Sequence, residues 1–453
     1  MGSVSDRSND TIAAISTAAG PAGISAVRIS GPEAMAIADR LLPAGKPPLS
    51  KRPGGTFFHT RIVDPGNGET VDDAIVLVFR APHSYTGEDV AEIQGHGGPE
   101  PSRRLLTAVL SAGARQADPG EFTLRAFLNG KLDLTQAEAI ASFISAKSEI
   151  AAKTARAQLD GKAGAWIARR YQDLIDLEAD IEHTLDFDES EVPEGWIANY
   201  KIRLQSQMES LRSKVCSCRE GRIASEGALV VLCGAPNAGK SSLMNALLGE
   251  NRAIVNRRPG TTRDAIEEGL SIRGIAVRLV DTAGIREGDD EIEAEGIVRA
   301  RAFLERADLI VSLKDAGDPD AQWIDPGPVP APVLRVLTKC DIAVAAASQE
   351  GEIAISSATG DGLEALKDRM TQMLGVDAER FDGMFTSIRQ ERELAGALKS
   401  CEETLELLDG GTEMFVIAAS RLRDAVSALG RLLGRVYDED VLDAVFSRFC
   451  VGK

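Results

Sequence analysis

The run Gly234-Ala-Pro-Asn-Ala-Gly-Lys-Ser241 follows the apolar stretch Ala228-Leu-Val-Val-Leu-Cys233 and precedes a segment of helical character, Ser242–Leu248. No other feature restricts the fold as much. A loop of this kind works only when a buried strand aims it at a helix N-terminus, so this region must build an α/β sheet. Gly234 and Gly239 let the backbone curl until successive N–H groups point at phosphate oxygens. Lys240 supplies a point charge to the β- and γ-phosphates, and Ser241 a hydroxyl to a magnesium ion. Asn237, Ala238 and Ser242 complete the contacts expected of the loop.

Further motifs follow in an order that narrows the ligand. Val277-Arg-Leu-Val-Asp281-Thr-Ala-Gly284 reads as a strand ending in Asp-x-x-Gly. Asp281 can hold magnesium through water, the Gly284 N–H can meet the γ-phosphate, and Thr282 and Ala283 lie between them. Gly260-Thr-Thr-Arg-Asp264 offers a threonine hydroxyl to the same ion, and Thr262 is the candidate. At the end of the strand Val333–Leu337 stands Thr338-Lys-Cys-Asp341. An ionised Asp is acceptor-only, so Asp341 can pair with the adjacent ring N–H and amine of guanine, which adenine lacks. Lys339 accompanies it. Thr338 occupies a position where Asn is usual, which puts in doubt the contacts an Asn side chain makes but not the base choice. Ser356-Ser357-Ala358, after the strand Glu352–Ile355, suits the last nucleotide loop, give or take one residue. These motifs together describe a GTP-binding, GTP-hydrolysing domain between about Gly227 and Gly375. Ile285 stands where Ras-type proteins place the Gln that orients the attacking water, so another polar group must do that work. The following segment, Arg286-Glu-Gly-Asp-Asp-Glu-Ile-Glu293, carries several carboxylates; a solvated acidic loop is the alternative reading.

At 453 residues the chain has room for about three domains. Residues 11–130 read as mixed α/β, with strands at Ile24–Ile29, Ala74–Phe79 and Val90–Ile93 and a short helix at Ser102–Ser111. From Leu134 the texture turns helical, opening with a capping box at Thr135-Gln-Ala-Glu138 and breaking at Gly161–Gly164. A further helix is expected at about Ile197–Gly221. The α/β pattern from Ala228 predicts a parallel sheet with helices on both faces, and helices return from Ile388 to Phe449. The expected division is 1–130, 131–225, 226–376 and 377–453. In it a helical domain is interrupted by an inserted Ras-like P-loop GTPase domain, after an N-terminal α/β domain. Net charge is −18, which disfavours unaided wrapping of nucleic acid. No run of about eighteen apolar residues occurs, so no membrane-spanning helix is expected. Met1-Gly-Ser-Val-Ser-Asp-Arg has no apolar core of a secretory signal. The six cysteines form no CxxC pair, and reduced thiols in a cytoplasm are expected.

With these motifs in hand the chain resembles one family over essentially its whole length, the MnmE (TrmE) tRNA-modification GTPases. The resemblance is carried by Gly23-Ile-Ser-Ala-Val-Arg28-Ile-Ser-Gly and by Tyr85-Thr-Gly-Glu-Asp-Val-Ala-Glu92-Ile-Gln-Gly-His-Gly-Gly. It continues in Pro119-Gly-Glu-Phe-Thr-Leu-Arg-Ala-Phe-Leu-Asn-Gly-Lys131 and in Phe449-Cys-Val-Gly-Lys453, where the family typically has Cys-Ile-Gly-Lys. The resemblance implies work with MnmG (GidA), a flavoprotein, to install a carboxymethylaminomethyl or aminomethyl group on carbon five of the wobble uridine of tRNA. It implies an N-terminal folate-binding-like domain that mediates homodimerisation and holds a 5-formyl- or methylene-tetrahydrofolate. Arg28, Glu92 and Lys131 match the family's folate contacts, with Lys453 nearby; ordinary surface charges are the alternative. It also implies hydrolysis activated by potassium, with Asn237, Asn256, Arg258 and Thr261 at the ligand positions and Arg257 and Arg258 as possible opponents of a cation. Glu293 falls at the family's catalytic glutamate, acting with Lys240. Cys450 would belong to the modification centre or be a buried structural thiol. Two rival readings fit less well: an Era-like ribosome-assembly GTPase, for which no Gly-x-x-Gly signature with a basic stripe follows the nucleotide domain, and a stand-alone folate-dependent aminomethyltransferase, which has no use for a GTPase.

Overall fold

The computed structural model describes residues 10–146, 148–185, 195–250, 267–281, 301–318, 320–342, 351–375, 385–437, 439–447 and 449–453. The chain divides into two compact units, Met1–Ala141 with Gly430–Lys453, and Ser142–Leu429.

The first unit is built on a six-stranded sheet. Its strands are β1 (Ile12–Ile15), β2 (Ile24–Ser30), β3 (Thr56–Val63), β4 (Thr70–Phe79), β5 (Val90–His96) and β6 (Arg115–Gln116). They lie in the order β3-β4-β5-β2-β1-β6, antiparallel except for the β1–β6 pair. Val27, Ile29, Val76, Val78, Ala91 and Ile93 alternate inward beneath helices α1 (Ala34–Arg40) and α2 (Pro99–Ser111), and form the core with them. Alternation leaves residues of the opposite parity, including Arg28 and Glu92, on the other face.

Helix α3 (Glu121–Leu128) explains two of the sequence motifs. Glu121 and Arg125 are 1% and 2% exposed. The Glu121 carboxylate accepts from Arg115 Nη2 at 2.6 Å, Arg125 Nη2 at 3.1 Å and the Asp118 N–H at 2.8 Å. Burial alone would raise its pKa, yet these hydrogen bonds and charges hold it below the ordinary Glu value. Arg125 also reaches Asp10 and Glu88, and Glu88 accepts from Ser30 at 2.6 Å. The Tyr85-Thr-Gly-Glu and Gly-Glu-Phe-Thr-Leu-Arg motifs therefore fasten α3 to the sheet. In the same unit α12 (Glu439–Phe446) and Phe449 pack on Leu124, Phe127 and Leu134. Gly452, at φ 98, lies so close to β1 that a Cβ would stand 2.2 Å from the Ile15 carbonyl oxygen, which only glycine permits.

The second unit carries helices α5 (Glu149–Leu159), α6 (Lys162–Thr184), α7 (Trp196–Glu226), α10 (Ile388–Leu407) and α11 (Phe415–Leu433), although α11 runs past the unit's boundary. It also carries a second sheet: β7 (Ala228–Gly234), β8 (Glu267–Ile272), β9 (Ile275–Asp281), β10 (Leu309–Asp315), β11 (Val333–Thr338) and β12 (Glu352–Ala354). The order is β12-β11-β10-β7-β9-β8. One face buries Val230, Leu232, Val311 and Val336 under α8 (Lys240–Glu250) and α9 (Leu363–Leu374). The other buries Leu229, Val231, Cys233 and Ile310 against Phe303, Ala307 and Ala331. Cover on both faces makes β7 apolar without alternation.

Five sequence expectations change. The sheet is not wholly parallel, because β8 runs antiparallel to β9. The capping box is Asp133–Gln136 rather than Thr135–Glu138. Asp133 Oδ1 accepts from the Gln136 N–H at 2.9 Å, and Gln136 Oε1 from the Asp133 N–H at 3.1 Å, so α4 (Leu134–Ser145) begins with Leu134 and Thr135 already buried. The break near Gly161–Gly164 is at Gly161, while Gly164 lies buried inside α6. Finally, α7 runs to Glu226 and α8 starts at Lys240.

Candidate active site

In the second unit β7 lies between β10 and β9, so chain order reverses across it, and loops at the carboxyl ends of its neighbours converge there. Gly234 ends β7 beside Leu313 of β10, and Leu232 lies opposite Asp281 of β9. The phosphate loop leaves β7 with Asn237 and Gly239 at φ 64 and 87, left-handed values that a loop of converging N–H groups uses. Ala238 is buried, and Asn237, Ser241 and Ser242 are exposed at the loop's open side. Lys240 is only 6% exposed. Its ammonium donates to the carbonyls of Gly234 and Ala235 at 2.8 Å each, which folds the side chain back over the loop. Ser241 Oγ donates to Asp281 Oδ2 at 3.2 Å. A hydroxyl and a carboxylate drawn from two motifs thus meet at one point, an oxygen pair suited to a hard divalent cation.

The base-reading loop is tied down by its neighbours. Thr338 is 2% exposed, and its hydroxyl donates to the Ala238 carbonyl at 2.9 Å. A second carbonyl, that of Lys314, lies 3.2 Å away, but one hydroxyl proton serves only one acceptor at a time. Thr338 therefore joins the base-reading loop to the phosphate loop, and the substitution for Asn keeps a link there. Lys339, at φ 59, pairs with Asp315 at 2.7 Å, and the Lys339 ammonium holds the Asp315 carboxyl below its ordinary value. The Cys340 N–H donates to the Ile355 carbonyl at 3.2 Å, and the Ile355 N–H to Leu337 at 2.8 Å. These bonds set Ser356-Ser357-Ala358 beside the loop. Ser356 is buried, and its hydroxyl accepts from the N–H groups of Ala358 and Thr359 at 3.3 and 3.2 Å. Asp341 is left exposed beyond these anchors. Asp315 had been missed; its only sequence signal was its place at the end of an apolar strand. Asn256, Arg258, Thr261, Thr262, Thr282, Ala283, Gly284 and Glu293 lie outside the described residues.

In the first unit β2 and β5 place Arg28 directly opposite Glu92. Arg28 Nε donates to Glu92 Oε1 at 2.8 Å. The guanidinium lies 5.1 Å from the Tyr85 ring centre and 5.6 Å from that of Phe122, two flanking aromatics that sequence reasoning did not single out. Arg28 Nη1 is buried and has no hydrogen-bond partner among the described residues. An arginine N–H left this way is costly unless something completes it. Lys453 lies near enough to feel both charges. Its amine pKa is lowered, by burial first and then by Arg28, with Glu92 opposing. Lys131 is not drawn into contact with the pair; its ammonium donates to the Pro82 carbonyl at 2.9 Å. Cys450 is exposed, which overturns the alternative of a buried structural thiol. Among the described residues no helix is long and apolar enough to cross a membrane.

Residues 11–131 match the family described as GTP-binding protein TrmE N-terminus, and residues 134–450 the MnmE helical domain. The tRNA modification GTPase MnmE of Bordetella parapertussis is 42% identical over 453 residues, covering 98% of this chain and 99% of its own. That of Xanthomonas campestris pv. campestris is 42% identical, covering 99% and 100%. Among solved structures, the G domain of the T. maritima FeoB iron transporter is 27% identical over 32% of this chain and 98% of that one, with a TM-score of 0.25.

Proposed function

The chain belongs to the MnmE (TrmE) family of tRNA-modification GTPases, and from that premise we propose that it acts with the flavoprotein MnmG (GidA) on the wobble uridine of tRNA. The product carries a carboxymethylaminomethyl or aminomethyl group on carbon five, and the one-carbon unit comes from a tetrahydrofolate derivative. The working form is a cytoplasmic homodimer that meets tRNA through the complex. The domain division 1–130, 131–225, 226–376 and 377–453 belongs to the same proposal.

The observation that carries this reading is the buried Nη1 of Arg28, unpartnered among the described residues, on the guanidinium that Glu92 holds and whose charge Lys453 feels. A folate fits such a set: its pterin amine and ring N–H can donate to Glu92, and its carboxylates can meet Lys131 or Lys453. When bound, the folate supplies the carbon that is transferred. Arg28 and Glu92 orient it, and Tyr85 and Phe122 wall the guanidinium from water. A strain lacking this chain is expected to lose the C5-substituted uridine from its tRNA nucleosides, measured by mass spectrometry. The wild-type chain should restore it and Glu92→Ala should not, while GTP turnover of Glu92→Ala stays normal. Full restoration by Glu92→Ala would reject the folate assignment.

For hydrolysis, Lys240 would stabilise charge on the β- and γ-phosphates, and Ser241, Asp281 and Thr262 would hold a magnesium ion, which would neutralise developing charge. Asn237, exposed on the phosphate loop, is the described member of the proposed potassium site; Asn256, Arg258 and Thr261 are its partners. Turnover should be roughly tenfold or more faster in potassium than in sodium at equal ionic strength, and Asn237→Ala should erase the difference. Equal rates in both salts would reject the site, and Arg258 would be the reason to examine first.

A further inference from the structure

Asp308 stands where three elements of the second unit meet. It precedes β10 and is 2% exposed. Its N–H donates to the Leu229 carbonyl at 2.8 Å, and its Oδ2 accepts the Leu229 N–H at 2.9 Å. Its Oδ1 accepts from Arg222 Nη2, and its backbone carbonyl accepts from Arg219 Nη2 at 2.9 Å. One buried residue thus makes two bonds to β7 and two to arginines a single turn apart on α7.

The strands that start here end at the nucleotide site. From Leu229, β7 runs to Gly234 at the mouth of the phosphate loop. From Leu309, β10 runs to Lys314 and Asp315, which meet Thr338 and Lys339 of the base-reading loop. Each path spans about 20 Å of strand. On the other side α7 is a single helix about 46 Å long. Its last turns bury Ile223 and Ala224 in the core of the sheet. Its earlier turns bury Tyr200, Leu204, Met208 and Leu211, and Tyr200 Oη donates to the Leu177 carbonyl of α6 at 3.1 Å. Between α7 and β7 stands one residue, Gly227, a natural place for the chain to bend.

We infer that the Asp308–Arg222–Arg219 clamp locks this joint, making α7 a rigid extension of the nucleotide-binding sheet that carries the nucleotide state into the helical part. Asp308 is a positioning residue: it touches no reacting atom and acts through α7. The inference needs GTP binding at the phosphate loop and nothing from the folate or tRNA proposals. Rigid elements transmit a change only if the far end responds to it, so the test reads the far end.

Hydrogen exchange of the full-length protein is compared with GDP and with a non-hydrolysable GTP analogue. Amides of residues 200–211 in α7 are expected to differ by about threefold or more between the two states. In Arg219→Met/Arg222→Met that difference should vanish, while residues 234–241 still respond to nucleotide and GTP turnover stays within about twofold of wild type. Arg222→Lys, which keeps an ion pair with Asp308, should retain part of the α7 response. No difference at 200–211 in the wild type, or an unchanged one in the double variant, overturns the inference. A double variant that no longer binds GTP also overturns it, since the clamp would then serve only to hold the fold.

Discussion

Asp341→Asn is expected to turn a GTP-binding protein into one that prefers xanthosine triphosphate. The structure makes this substitution unusually clean, because the loop does not depend on Asp341 for its shape. Thr338 bonds to Ala238, Lys339 to Asp315 and Cys340 to Ile355, leaving the Asp341 carboxylate exposed. As an acceptor-only group it suits the ring N–H and amine that guanine presents side by side. Asparagine keeps one oxygen and replaces the other with a donor, which faces the guanine amine donor to donor. Xanthine carries a carbonyl there and accepts instead. Hydrogen bonds to a charged group are worth about 1.5–3 kcal/mol each, so GTP affinity should fall by roughly 10²-fold or more. Affinity for xanthosine triphosphate should rise, since specificity is the difference between the two. Equilibrium binding of both nucleotides to both proteins checks this. A variant that still prefers GTP would show that another group reads the base.

How much of this was legible depended on the range of the interaction that decides each feature. β7 and the phosphate loop were readable because a buried strand, glycines and a helix are consecutive in sequence. The start of α4 was not, because Asp133-x-x-Gln136 and Thr135-x-x-Glu138 both offer a cap. The choice between them is made by the burial of Leu134 and Thr135, a tertiary effect. The antiparallel β8 did leave a local sign. Arg273-Gly274, at φ 49 and 83, is a two-residue hairpin turn between apolar runs. Arg28 and Glu92 were picked out through the family resemblance; only the register of β2 on β5, pairing residues 64 apart, brings them together. Thr338 looked like a loss because its acceptor, the Ala238 carbonyl, is 100 residues away. The Glu121–Arg125 network was visible only as motif letters, since nothing local reveals that both charges are buried against each other.

Glu293→Ala should bind GTP nearly as well as wild type and hydrolyse it roughly 10²–10⁴-fold more slowly, the usual range for losing a general base. Ile285, directly after Asp281-Thr-Ala-Gly284, has a side chain that cannot orient water. In the proposed site Lys240 serves the phosphates, Ser241 and Asp281 the divalent cation and Asp341 the base, while Thr338 and Lys339 are bonded to Ala238 and Asp315. None of these is free to hold the attacking water, so a group from the segment after Gly284 must reach it. Glu293 matches the family position, with Glu287, Asp289, Asp290 and Glu291 as local rivals in the same acidic run. Binding and turnover separate these roles. A residue that acts on the transition state can be removed with little loss of ground-state affinity, whereas a phosphate or magnesium contact costs affinity as well. Kd for GTP and single-turnover rates in potassium, measured on Glu293→Ala and Glu287→Ala, give both quantities. Normal turnover in Glu293→Ala together with lost turnover in Glu287→Ala would move the role to Glu287. Loss of both affinity and rate in Glu293→Ala would make that carboxylate a binding group rather than the one that activates water.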